Sequence, residues 1–183
     1  MYIHKSVCIS PQHTFPEINL QEVLASADNK LTAIESKYEN IPLSTLRRMG
    51  KAVRMGVGAG MNLVKDYPHL DGIIIGTANG GMEDCIKFLN QIIDYDEGTL
   101  TPKNFVQSTT NAIAAQISLT AQNTGYNITH VHRGLAFENA LLDAFMLMKE
   151  NPESVYLLGG GDEISTYNFN IDNLAGSYKK EII

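Results

Sequence analysis

The sequence predicts an α/β fold with a mostly parallel central sheet covered by helices. Three observations lead there. Gly72-Ile73-Ile74-Ile75-Gly76 is an isoleucine run without alternation, the pattern of a strand covered on both faces. Apolar residues at spacings of three and four mark helices before and after it. The strand candidates are separated by helices of ten residues or more, the crossover that parallel neighbours need.

In chain order, Tyr2 to Ile9 sets Ile3, Val7 and Ile9 against the more polar His4 and Ser6 and stops at Pro11, which predicts a first strand. Leu20, Val23, Leu24 and Ala27 suggest one turn-rich helix within residues 12–40. From Pro42 to Lys65, Leu46, Met49, Val53, Val57, Met61 and Val64 define an amphipathic helix that ends before Asp66-Tyr67-Pro68. Gly56, Gly58 and Gly60 weaken its propensity, so either another element presses closely against them or the helix breaks there. After the isoleucine strand, Thr77 to Gly81 makes a tight turn, and Met82, Cys85, Ile86, Leu89 and Ile93 resume helical spacing.

Asp94 to Thr101 reads as a polar loop, and Thr101-Pro102 as an N-cap with proline at the first helical position. The helix behind it runs through Phe105, Ile113, Ile117 and Ala121 toward Gly125. Asn127 to Val131 is a strand candidate. Leu135 to Lys149 is the clearest helix, with a broad apolar face of Leu141, Leu142, Phe145 and Met148. Its small-residue stripe, Ala136, Ala140 and Ala144, lets another backbone approach closely. Val155 to Leu158 forms a strand running into Gly159 to Glu163, and the tail after Ser165 has no convincing period. No repeat or linker interrupts the pattern, so residues 1–183 read as a single domain.

A chain of 183 residues, 44% hydrophobic and 19% charged, is long enough and apolar enough for one buried core. Its net charge of -6 argues against duplex nucleic acid, which is met with clustered Lys and Arg. One such cluster exists, Arg47, Arg48, Lys51 and Arg54; it reads first as a solvated helix face and second as a contact for an acidic protein or a phosphate-bearing group. Cys8 and Cys85 make no disulfide framework. Lys5, His13 and Glu17 interrupt any secretory apolar run, and the longest apolar runs fall short of the about 20 residues of a membrane span. A cytoplasmic protein with no membrane contact is the expectation.

In such a sheet ligands collect outside the carboxyl ends of strands, here Gly76 to Gly81, His132 to Gly134 and Gly159 to Glu163. The first matches neither G-x-G-x-x-G nor a phosphate loop ending in Lys-Ser/Thr. His130 and His132, two apart on a strand, would share a face, but no third ligand joins them by spacing, so no metal and no cofactor is expected. Glu138 and Asp143 are five apart on a helix and point to different faces. Asp162 and Glu163 suit holding a loop or capping the next helix through backbone N–H groups. Cys8 in a strand and Cys85 in an apolar repeat predict buried, inert thiols. Nucleophilic chemistry on this architecture wants a Cys or Ser at a sharp strand-to-helix turn. The turn is present at His132-Arg133-Gly134-Leu135 and the nucleophile is not, so no catalytic residue is assigned.

Four segments in order resemble the N-terminal half of the beta-ketoacyl synthases of the thiolase superfamily: Gly72 to Thr77 with Gly80-Gly81; Pro102, Phe105 and Asn111 to Ala114; Ala140 to Ala144; and Gly160-Gly161-Asp162-Glu163. The spelling His132 to Glu138 is similar to a divergent group associated with aryl-polyene or flexirubin-type pigment pathways. The resemblance implies a thiolase-like N-terminal half beginning with the strand near Ile3. It puts the active cysteine at Gly134 or Leu135, counting back from Gly-Gly-x-Glu, and the other catalytic residues in a C-terminal half that lies beyond Ile183.

The chain therefore reads as incomplete relative to full-length members, whether excised, truncated or naturally half-length. The function implied is a non-catalytic or incomplete beta-ketoacyl-[acyl-carrier-protein] synthase-like subunit in fatty acid or polyketide-type biosynthesis, of the chain-length-factor kind. His132, Arg133, Gly134 and Phe137 are then the substrate contacts. Its partners would be an acyl carrier protein and, through the edge Asn127 to Val131, a second copy or an active ketosynthase. The alternatives are an acyl or small-molecule binding protein with no such partner, and a fragment of an active 3-oxoacyl synthase.

Overall fold

The computed structural model describes residues 1–19, 21–25 and 31–178. It comprises two compact units, Met1–Ser6 with Tyr38–Glu163, and the described parts of Val7–Lys37 and Ile164–Ile183. The first unit carries three parallel strands, β1 (Gly72–Thr77), β2 (Tyr126–Val131) and β3 (Tyr156–Gly160), in the order β2-β1-β3. The register sets Ile74 between Ile128 and Leu158. Every residue of β1 is buried, as its sequence predicts. Ile73 and Ile75 join Val53, Val57, Ile113 and Ile117 on one face, and Ile74 meets Ala140 and Ala144 on the other. Each fully buried Ile or Val side chain among them contributes about 1.5–3 kcal/mol of burial.

The helix predicted over Pro42 to Lys65 is two helices, α1 (Leu43–Leu46) and α2 (Lys51–Val64). The division falls at Gly50, whose extended backbone lies against Asp84; a Cβ there would stand 1.7 Å from Asp84 Oδ2. At Gly56, Gly58 and Gly60 close approach prevails and α2 continues. A Cβ on Gly56 or Gly60 would come within 2.6 Å of Ile113 or Ile117, and one on Gly58 within 2.2 Å of the Tyr38 ring.

Beyond β1 come α3 (Met82–Asp94), α4 (Pro102–Gln107) and α5 (Ala112–Ala121). The single helix predicted from Thr101 toward Gly125 is thus also divided. Ser108 and Thr109 donate their hydroxyls to the carbonyls of Phe105 (2.7 Å) and Val106 (3.0 Å), a local alternative to the helical ladder. Asn111 is drawn to β2 instead, donating to Asn127 Oδ1 (2.9 Å) and accepting from the Thr129 hydroxyl (2.7 Å).

A 3₁₀ turn, Arg133–Leu135, leads into α6 (Ala136–Glu150). The face that α6 buries is its alanine stripe, Ala136, Ala140 and Ala144. Leu142 and Phe145, read as core from their spacing, are exposed, because only small residues fit where α6 lies on β1.

The first strand predicted at Tyr2 to Ile9 does not form. Tyr2 and Ile3 are exposed; His4 packs its ring 5.7 Å from that of Tyr67, and Lys5 pairs with Asp66, whose carboxyl this contact holds below its ordinary pKa. Alternating polarity permits a strand, but a strand also needs an edge to bond to, and this segment is held at the end of α2 instead.

In the second unit Ser10 and Thr14 share a hydroxyl hydrogen bond of 2.9 Å, Ile34 N–H donates to Ser10 O and Ser36 Oγ to Phe15 O. The helix predicted around Val23 and Leu24 is absent from the described residues there; Leu20 and Ala27 lie outside them. Cys8 is exposed and Cys85 half-buried, so neither is the fully buried thiol expected. A helix the sequence reading missed, α7 (Thr166–Leu174), starts where Ser165 Oγ accepts from Asn168 N–H, an N-cap that its mixed polarity conceals. Among the described residues no helix is long and apolar enough to cross a membrane.

Candidate functional site

Three loops meet where β1, β2 and β3 end, and backbone hydrogen bonds tie them together. Asp162 Oδ1 accepts from the Thr77 hydroxyl (3.0 Å) and from Ala78 N–H (2.6 Å). Gly161 N–H donates to Gly76 O, His132 N–H to Thr77 O and Arg133 N–H to Ala78 O. Glu163 Oε1 accepts from Glu83 N–H (3.2 Å) in the first turn of α3. Asp162 and Glu163 therefore do the structural work their position after β3 predicts, the first holding a loop and the second capping a helix.

Burial pushes the Glu163 carboxyl above its ordinary pKa of 4.5, helped by the neighbouring negative charges of Asp84 and Glu83 and opposed by the Glu83 N–H and Lys87. A carboxyl raised in the folded state contributes stability that is full below its ordinary pKa and is lost as pH rises through the raised value. Glu163→Gln keeps an acceptor for Glu83 N–H and removes the charge. Thermal melts from pH 4 to 7 should show a smaller loss of stability with rising pH than the parent; an unchanged slope would refute this assignment.

The turn from β2 into α6 is sharp. His132 has φ −153° and ψ 44°, and Arg133 sits in the left-handed region at φ 42°. Leu135 N–H closes the turn on His132 O at 3.0 Å. Gly134 opens to free space, a Cβ there meeting nothing within 4 Å. Phe137 follows in the first turn of α6, its Cδ2 3.4 Å from where a Cβ on Gly160 would stand. His132, Arg133, Gly134 and Phe137 are thus exposed together on one turn and the helix start behind it. Residues 132–137 are His, Arg, Gly, Leu, Ala and Phe, without a thiol or hydroxyl. The N-terminus of α6 adds the partial positive charge and free N–H groups of a first helical turn.

β2 ends at Val131, and His132 lies in the turn just beyond it. His130 Nε2 lies 2.9 Å from Asp143 Oδ2 on α6, and the Tyr126 hydroxyl donates to the same oxygen at 3.1 Å. Burial and the adjacent Asp143 raise the Tyr126 pKa. Asp143 is the polar partner the sequence reading missed; the signal was Tyr126 and His130 recurring on one face of β2. A cavity of about 10 Å³, room for a single water, lies among Val53, Ile75, Thr77, Thr109, Thr110 and Gly161, apart from the four candidate residues. Among the described residues no group of three His, Cys, Asp or Glu is placed to hold a metal.

A parallel sheet with helices on both faces and a tight strand-to-helix turn at its carboxyl edge defines a thiolase-like α/β fold, here with no nucleophile in the turn. A family model described as Beta-ketoacyl synthase, N-terminal domain matches residues 21–171, and the chain belongs to that family. Among solved structures it is similar to the ketosynthase ApeO in complex with its chain length factor ApeC from Xenorhabdus doucetiae, with a TM-score of 0.71 and 18% identity over 93% of this chain and 69% of that one. It is also similar to the type II polyketide assembly AntDE:AntF, an acyl-carrier protein in complex with its ketosynthase, with a TM-score of 0.66 and 18% identity over 80% of this chain and 45% of that one. A beta-ketoacyl synthase from Burkholderia phymatum follows, with a TM-score of 0.62 and 18% identity over 75% and 36%. The chain thus spans 69% of the first of these and less than half of the other two. A search of curated protein sequences gives no match.

Proposed function

We propose that the chain is a chain-length-factor-type subunit that pairs with an active ketosynthase in fatty acid or polyketide-type biosynthesis and forms no carbon–carbon bond itself. The observation that carries this reading is a strand-to-helix turn kept in full at the site while its residues offer no group able to attack a thioester. Two of the similar structures support it: one contains a ketosynthase with its chain length factor, and one an acyl-carrier protein on its ketosynthase. His132, Arg133, Gly134 and Phe137 then face the carrier-bound chain. The exposed cations Arg47, Arg48 and Lys51 suit an acidic or phosphate-bearing carrier. On this reading the reaction runs in the cytoplasm, and an aryl-polyene or flexirubin-type product fits the spelling of His132 to Glu138.

Two measurements test the proposal. Mixed with a ketosynthase encoded beside it, the chain should sediment as a stable mixed dimer. Incubated alone with acyl-carrier thioesters, it should gain no acyl mass. A monomer that ignores every ketosynthase but retains acyl thioesters would support a free-standing acyl-binding protein instead. An adduct on Cys8 or Cys85 would overturn the non-catalytic reading.

A further inference from the structure

We infer that Asn79 is a site of spontaneous covalent modification: its carboxamide cyclises onto the backbone nitrogen of Gly80 and opens to aspartate and isoaspartate. The inference goes beyond the functional reading and does not depend on it. The reaction needs a free asparagine side chain, a following nitrogen open to approach, and a backbone outside the helical and sheet ladders. Asn79-Gly80 is the one Asn-Gly step in the sequence, and glycine has no Cβ to screen its nitrogen. Asn79 is exposed, and its carboxamide makes no hydrogen bond among the described residues. Asn62, Asn90, Asn104 and Asn139 instead lie within α2, α3, α4 and α6, where the following N–H is drawn into the helical ladder.

The turn after β1 requires the glycine, and the reactive pair comes with it. Gly80 takes φ 69°, and a Cβ there would also meet Thr110 at 2.9 Å. Gly80 N–H donates to Thr77 Oγ1 at 3.1 Å, and the Thr77 hydroxyl donates to Asp162 Oδ1 at 3.0 Å. Cyclisation needs this N–H to give up its proton and its nitrogen to turn toward Asn79 Cγ, so the bond to Thr77 restrains the reaction. The Asn79 side chain carries no matching restraint.

In the first step the Gly80 nitrogen loses its proton to solvent and bonds to Asn79 Cγ. The Cγ–Nδ2 bond breaks, and ammonia leaves with a proton taken from water. Water then adds to either carbonyl of the five-membered imide, a ring C–N bond breaks, and the nitrogen regains its proton. One opening gives aspartate on an unchanged backbone. The other routes the chain through the former side-chain carbon and lengthens the backbone by a methylene. Either product adds a negative charge beside Ala78, whose N–H is held by Asp162 Oδ1 at 2.6 Å, and like charges so placed repel. Ala78 O also accepts from Arg133 N–H, so the change reaches the turn into α6.

Ageing the full chain in heavy-oxygen water at neutral and mildly alkaline pH, then mapping the label by peptide mass spectrometry, tests this. Label should enter at residue 79 about tenfold faster than at any other asparagine, and faster as pH rises, because the nitrogen must be deprotonated. Label arriving first elsewhere, or at equal rates throughout, would overturn the inference. Asn79→Gln demands a six-membered ring, so the fast phase should vanish; its persistence would move the site. Thr77→Val frees Gly80 N–H and should speed labelling about fivefold, the rate equivalent of one ordinary hydrogen bond, while Thr77→Ser keeps the parent rate. Hydrogen exchange at the Gly80 amide of the parent reads the same restraint without a substitution. Unprotected exchange, or no acceleration in folded Thr77→Val, would remove Thr77 from the account. Asn79→Asp should melt about 2–4 °C below the parent, and an equal or higher melting temperature would overturn the effect on the junction.

Discussion

Gly76→Ala is expected to destabilise the first unit by about 3 kcal/mol, the upper part of the range for overpacking a close-packed core. A Cβ at Gly76 would stand 2.6 Å from the carbonyl oxygen of Ala136, 2.7 Å from its carbon and 2.8 Å from the nitrogen of Phe137. All three are backbone atoms, so no rotamer change relieves the clash; α6 must lift from β1. The lift would open the contact of Ile74 with Ala140 and Ala144 and move the turn that carries Arg133. In thermal melts the variant should lose about 6–12 °C. Gly134→Ala is the matched control, because a Cβ there meets nothing within 4 Å, and its effect should stay within about 0.5 kcal/mol. Equal stability of the two variants would refute the close approach of α6 on β1.

Val131→Lys should weaken association about 100-fold and leave the monomer folded, in keeping with the proposed pairing. β2 lies at one end of the strand order, bonded to β1 on one side only among the described residues. Its far edge therefore presents N–H and C=O groups that a second strand can pair, and a lysine on such an edge is a device by which proteins prevent that pairing. Val131 on this strand is exposed, as are Leu135, Leu142 and Met146 on the turn and helix that follow it. A loss of this size corresponds to removing one hot-spot contact of about 2–3 kcal/mol. Sedimentation equilibrium of parent and variant, alone and with the ketosynthase, measures it directly. Unchanged association would move the interface away from β2. A parent that stays monomeric at every concentration and with every ketosynthase would remove the pairing altogether.

Elements whose pattern reflects their own burial were legible in the chain. Ile73 to Ile75 announces a strand covered on both faces, and the alanine stripe of α6 announces a close approach, met at Gly76. Asp162 and Glu163 were legible in role, since a carboxylate after a strand has loop and helix N–H groups within reach. The elements misread depended on a partner far away in sequence. Tyr2 to Ile9 has the alternation of a strand, but His4 and Lys5 are taken by Tyr67 and Asp66. The division between α4 and α5 comes from the pull of β2 on Asn111, which no local period records.

By itself the sequence determined the fold class, the three parallel strands β1, β2 and β3, and the absence of a nucleophile from residues 132–137, because composition and periodicity reflect burial and each residue's chemistry is inherent in it. Only the tertiary structure decided that His130 answers to Asp143 and that Arg133 bears the strained conformation. Backbone angles and hydrogen-bond partners are set where β1, β2 and α6 converge, and linear spacing does not encode which residue at that junction turns left-handed.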